Sequence, residues 1–125
     1  MTGYIVFAHG SSVESANEAV RSVAAEMARQ GHLEHVTAAF LEGGRPNLDD
    51  AARALAARGA TRILVIPYFL TLGLHLQRDL PKLVAKARLA NPGIEIDVTP
   101  PLDGHPGMVD ALLDRARTHP VCGPN

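Results

Sequence analysis

Cysteine is nearly missing from this sequence: Cys122, close to the C-terminus, is the only one in 125 residues. One thiol cannot close a disulfide within the chain or hold an iron–sulfur cluster. That scarcity fits a reducing, cytoplasmic setting. Charge of one sign is lacking as well. Twelve Lys and Arg against 13 Asp and Glu leave a net charge of −1, so there is no broad basic field to hold nucleic acid. A local cluster can still bind an anionic small molecule. No apolar run approaches the ~20 residues of a membrane span, and no basic segment followed by an apolar one opens the chain, so neither a membrane partner nor a signal peptide is expected. What is present, 46% hydrophobic and 20% charged residues, is the make-up of one globular domain that buries its own core without metal or disulfide staples. That domain is expected over residues 1–118, with residues 119–125 as a frayed tail.

The apolar pattern alternates between two periods. Tyr4-Ile5-Val6-Phe7-Ala8 is a short continuous run ending at His9-Gly10, and reads as a strand buried on both faces. Ala16, Val20, Val23, Ala24 and Met27 then fall at helical spacing. Ser11, Ser12 or Ser15 is the expected cap, and Gly31 the stop. Residues 36–41 form the second strand, broken by Gly43-Gly44. Pro46 suits the first turn of the next helix, whose stripe is Leu48, Ala51, Ala52 and Leu55, with Gly59 ending it. Ile63-Leu64-Val65-Ile66 is the third strand. The third helix is expected to begin near His75, with Leu76, Leu80, Leu83, Val84 and Ala87 buried and Pro81 in its early turns. Asn91-Pro92-Gly93 turns the chain into an alternating edge strand, residues 94–98. Val109, Leu112, Leu113 and Ala116 mark a fourth helix. Four strands alternating with four helices imply right-handed crossovers and an α/β fold: a four-stranded parallel sheet with helices on both faces, in a flavodoxin-like arrangement. Ligands of such folds bind beyond the carboxyl ends of the strands. That rule selects the loops at residues 9–12, 42–45, 67–75 and 100–105.

Six histidines are then unequal. His32 and His35 flank a turn at the opposite end of the sheet and read as solvated. His119 lies in the tail. His105, before Pro106, is better placed to open the last helix than to do chemistry. His9 follows a buried strand, where the backbone is fixed, and Gly10 beside it permits close approach of a ligand. His75 follows Phe69-Leu70-Thr71-Leu72-Gly73-Leu74, an apolar loop at a surface, which suits a wall against a flat, greasy ligand, a second subunit or the protein's own core. Glu42 ends the second strand on the same side. Two imidazoles and a carboxylate suit divalent cobalt, nickel, iron or zinc, but their spacing is no local metal motif, so they meet only if the fold brings them together. Rival motifs are missing. The histidine phosphatases need an arginine where Ala8 stands. No G-x-S-x-G nucleophile elbow, P-loop or dinucleotide fingerprint occurs.

Ala8-His9-Gly10-Ser11, Phe40-Leu41-Glu42, Ile66-Pro67-Tyr68-Phe69-Leu70, Gly73-Leu74-His75, Asp79-Leu80-Pro81, Pro100-Pro101-Leu102 and His105-Pro106 together resemble the half-length sirohydrochlorin cobaltochelatases of the class II chelatase group. The resemblance runs from about residue 3 to about residue 116. It implies a chelatase-like fold, His9 and His75 as metal-binding residues and Glu42 as the active-site acid. It also implies homodimers, because long members carry two such domains in one chain. The substrate implied is sirohydrochlorin, a tetrapyrrole bearing eight carboxylates. The metal is then a substrate, cobalt preferred with nickel or iron as alternatives, and no permanent cofactor is implied. Ser11, Ser12, Arg45 and Arg78 are candidates to meet the carboxylated rim. Phe69, Leu70 and Leu74 are candidates for the ring or for a second subunit. A carrier that binds metal or tetrapyrrole without catalysis would need the same donors and the same wall.

Overall fold

A computed structural model describes residues 1–118; the expected tail, with His119 and Cys122, lies outside the described residues. The elements run β1 (Thr2–Ala8), α1 (Glu14–Gly31), β2 (Val36–Phe40), α2 (Leu48–Ala57), β3 (Arg62–Pro67), α3 (Leu74–Ala90), β4 (Glu95–Val98) and α4 (Pro106–Arg117). The strands form one sheet in the order β2-β1-β3-β4 with every pairing parallel, as the alternating pattern requires.

Side chains of a strand point to opposite faces in turn, and this splits the core. On one face Ile5, Phe7, Ala39, Ile63, Val65 and Ile96 are buried with Leu48, Ala51, Ala52 and Leu55 of α2 and Leu76, Leu80, Val84 and Ala87 of α3. On the other face Val6, Ala8, Ala38 and Phe40 pack with Ala24 of α1, flanked by Val20 and Met27. In register, Ala8 lies opposite Phe40 and Phe7 opposite Pro67. The ends of β1, β2 and β3 are therefore level, and the residues that follow them share one rim.

Several local expectations are corrected. No serine caps α1 with its side chain: the cap position is Val13, and the Ser11 hydroxyl instead accepts from the Val13 N–H at 3.0 Å. Ala16 and Val23 are exposed, and Asn17 takes a buried place in their stead. Pro46 lies before α2, not in its first turn; Asn47 is the cap, its side chain accepting from the Asp50 N–H at 2.8 Å, while the Pro46 carbonyl accepts from Phe40. The largest departure from a sheet packed by helices on both faces is α4. Its stripe is not buried at all: Val109 is 58% exposed, Leu112 69% and Leu113 43%. Amphipathic spacing reports that a helix has an apolar face, not what covers it. No helix among the described residues is long and apolar enough to cross a membrane.

Candidate active site

His9 and Glu42 are held by backbone before any side chain acts. Past the ends of β1 and β2 the pairing continues, with Leu41 N–H donating to the Ala8 carbonyl at 2.9 Å and Glu42 N–H to the His9 carbonyl at 3.0 Å. Gly10 sits in the left-handed region, φ +88°, and a Cβ there would lie 1.7 Å from the Glu42 carbonyl oxygen. Only glycine allows these two loops so close. Gly43, φ +71°, meets the Ser11 backbone in the same way, at 2.7 Å.

Asn17 locks the two loops, and nothing in the apolar pattern pointed to it. Its amide is 1% exposed. It accepts from the Ser11 N–H at 2.9 Å and donates to the carbonyls of Ser11 at 2.8 Å and Gly43 at 3.0 Å. The missed signal is a polar residue inside a helix stripe, one turn past a loop with backbone groups to satisfy. Arg21 adds an outer clamp. It lies 5.2 Å over the Phe40 ring, donates to the Arg45 carbonyl at 3.1 Å and pairs with Glu14 and Glu18. Its hydrogen bond holds the Glu14 carboxyl below the ordinary carboxylate range, with Asn17 adding to the effect.

The His9 ring is largely exposed, and its Nδ1 lies 3.2 Å from the Gly10 carbonyl. A carbonyl only accepts, so Nδ1 is the donor in that contact, and Nε2 is the ring nitrogen nearest Glu42. That Nε2 stands 3.7 Å from Oε1 of Glu42. Bonds of about 2.0–2.2 Å from one ion to each atom span that gap at an angle of roughly 120°, so the pair is spaced for a shared divalent ion.

His75 is in the first turn of α3, and shares with His9 a pocket of about 290 Å³. Leu41, Phe69, Thr71, Gly73, Leu76 and Asp79 complete its lining. Asp79, one turn past His75, was not singled out from the sequence as a site residue; its spacing of four on one helix was the available signal. Phe69 is anchored edge-on against Phe7, centroids 6.2 Å apart. Leu70 and Leu74 project into solvent, 72% and 77% exposed, while Leu72 packs on the core beside α3 and β4.

The remaining candidates are dispersed. Ser11 and Ser12 sit beside His9. Arg45 lines a separate opening with Glu14, Arg21, Gly43 and Gly44, and Arg78 is exposed on α3. His105 caps α4, its Nδ1 accepting from the Gly107 N–H at 2.9 Å. His32 is the exposed left-handed cap of α1. His35, expected to be solvated, is mostly buried, its side chain 24% exposed and its Nδ1 without a partner. Among the described residues no three His, Cys, Asp or Glu side chains form a ready-made metal cage. The donors are thus one close pair, His9 and Glu42, with His75 on the same pocket.

The profile of the CbiX family matches residues 3–119. The chain belongs to that family. It is similar to the sirohydrochlorin cobaltochelatase of Sulfolobus acidocaldarius, 31% identical over 93% of this chain and 90% of the relative. It is also similar to the chloroplastic sirohydrochlorin ferrochelatase of Arabidopsis thaliana, 31% identical over 90% of this chain and 50% of that one. Among solved structures it superposes on the sirohydrochlorin chelatase SirB of Bacillus subtilis in complex with cobalt, with a TM-score of 0.81 and 25% identity over 93% of this chain and 50% of SirB.

Proposed function

We propose that this member of the CbiX family is a chelatase that inserts a divalent metal, cobalt in preference, into sirohydrochlorin. The observation that carries the reading is the pocket at the carboxyl ends of the strands, lined by His9, His75 and apolar Leu41, Phe69 and Leu76, with Glu42 beside His9. Two neutral imidazoles hold a partly dehydrated ion without trapping it as thiolates do. An incomplete donor set suits an ion that must leave, because water and then the ring nitrogens fill the open positions. Each insertion releases two pyrrole protons for one divalent ion. Glu42 is placed either to complete the metal site or to take those protons.

The ring is read as lying against Phe69, Leu70 and Leu74, with its carboxylates meeting Ser11, Ser12, Arg45 and Arg78. A homodimer gives such a ring cover that one short chain lacks. The scarcity of cysteine supports a cytoplasmic setting. Iron is the second reading for the metal, favoured by the name of the Arabidopsis relative; nickel is held by the same donors.

The test follows the absorption change when purified protein, sirohydrochlorin and cobalt, nickel or iron are mixed. Insertion faster than the uncatalysed rate, and fastest with cobalt, is expected. An unaccelerated rate with every metal makes the protein a carrier. His9→Ala and His75→Ala are expected to lose more than the roughly 10- to 100-fold that follows removal of an outer partner of a metal ligand, with the fold retained. A wild-type rate in either variant removes that histidine from the site. Glu42→Gln separates its two roles: lost cobalt affinity marks a ligand, and slowed insertion at unchanged affinity marks a base.

A further inference from the structure

Three groups that can take a proton or a metal line the pocket at the strand ends: His9, His75 and Asp79. The rest of the lining is Leu41, Phe69, Thr71, Gly73 and Leu76, and none of these side chains is a base at neutral pH. Glu42 lies 3.7 Å from His9 and is not part of this lining. Asp79 has no structural task in the fold. From residue 1 to residue 98, every other Asp and Glu lies within 3.7 Å of an Arg or His nitrogen. Asp79 has no such partner among the described residues, although Lys82 follows it at a spacing that forms pairs elsewhere on these helices. It is the sixth residue of α3, beyond the four N–H groups that a helix start leaves open, so it caps nothing. Aspartate is also one of the poorer helix formers. Four residues apart on one helix, His75 and Asp79 share a face and stand about 6 Å apart along its axis. Asp79 is exposed, so water can take a proton from it.

We propose that Asp79 is the base that takes the pyrrole protons during insertion, while Glu42 stays with the ion. The inference rests on the chelatase function proposed above and divides the work between two carboxylates. The gap between His9 and Glu42 is spaced for a shared divalent ion. A carboxylate that shares such an ion has its charge engaged, and accepts a proton poorly until the ion has left. Imidazoles that hold the ion are occupied in the same way. Of the groups on the pocket lining, that leaves Asp79. One helical turn from His75, it is far enough from the ion to stay unligated. It is near enough to meet a ring N–H directly or through one water. The step balances. Each N–H bond breaks, its electron pair stays on nitrogen and becomes a bond to the ion, and the proton forms an O–H bond on Asp79. Asp79 passes that proton to water before the second N–H breaks. One divalent ion enters, two protons leave and no electron is exchanged.

The experiment compares wild type, Asp79→Asn, Asp79→Glu and Glu42→Gln as full chains. Cobalt affinity is read by calorimetry without the ring, and insertion by the absorption change of sirohydrochlorin. Asp79→Asn is expected to lose roughly 100-fold or more in kcat, with cobalt affinity and the KM for sirohydrochlorin unchanged. Formate added at constant ionic strength is expected to return part of that rate, and Asp79→Glu to keep more of it than Asp79→Asn. Glu42→Gln is expected to lose cobalt affinity, and formate to leave its rate unaltered. Lost cobalt affinity in Asp79→Asn makes Asp79 a ligand and overturns the proposal. A raised KM at wild-type kcat, which makes it a contact of the ring, overturns it too, as does a wild-type rate or a slow rate that formate does not lift. In each of those cases wild type still inserts the metal, so the chelatase reading stands. No acceleration by wild type itself overturns both.

Discussion

The two walls of the pocket are built by opposite means. The His9 wall is backbone packed on backbone: two loops joined by strand-like hydrogen bonds, a buried amide and two left-handed glycines. The His75 wall is a loop of large apolar side chains, several of them in solvent. The Tyr68 N–H bonds to Phe7, and Gln77 reaches back to Leu72 at 2.8 Å. A wall with few buried contacts opens at low cost, whereas a locked one moves only with the whole domain. The difference suits two kinds of ligand. An ion needs its donors fixed to a fraction of an ångström; a broad ring needs a greasy side that yields as it enters.

Glycine substitutions should break this contrast most sharply. Gly10→Ala puts a methyl group against the Glu42 carbonyl at a positive φ and should cost on the order of 4 kcal/mol or more in urea unfolding. Gly73→Ala, on the other wall, meets nothing within 4 Å and should cost less than about 1 kcal/mol. Equal losses would erase the distinction. Next in size is Asn17→Ala, which strands the Ser11 N–H and two carbonyls; about 2–3 kcal/mol is expected, with faster amide exchange at Ser11 and Gly43. A loss confined to α1, with both loops still protected, would show that Asn17 does not join them. Leu70→Ser and Leu74→Ser should leave unfolding within about 0.5 kcal/mol of wild type while raising the KM for sirohydrochlorin. An unchanged KM would take the ring off that wall. Smallest is Glu14→Gln. The folded-state pKa of Glu14 is depressed by Arg21, so its contribution is present above the unfolded carboxylate range and lost as pH falls through the folded value. Wild type should therefore exceed the variant slightly at neutral pH, and the margin should close in acid; a constant margin would place the effect outside Glu14 ionisation.

Strand order and the rim of candidate residues were legible because they follow from periodicity and crossover handedness. Tyr4 through Ala8 read as a doubly covered strand, and the residue after such a strand lands at the ligand-binding end. Asn17 was missed because the apolar pattern does not count a polar residue within its stripe, and its value depends on loops 6 and 26 residues away in sequence. Pro46 was misplaced because the first turn of a helix and the residue before its cap both favour proline. The stripe of α4 was legible as the apolar side of a helix, but its exposure was not. Periodicity assigns a helix a side, but the surface that meets it is a property of the tertiary or quaternary arrangement.

Tyr68 has a practical use. The chain has no tryptophan and two tyrosines, so ultraviolet emission comes from Tyr4 and Tyr68 alone. Tyr68 is 37% exposed and stands beside Phe69 and Leu70, while Tyr4 lies at the far end of β1. Fluorescence of a Tyr4→Phe variant would thus report tetrapyrrole arrival through one chromophore at the rim, with no label attached. The same signal, followed in time with metal-free and metal-loaded ring, would separate docking from release.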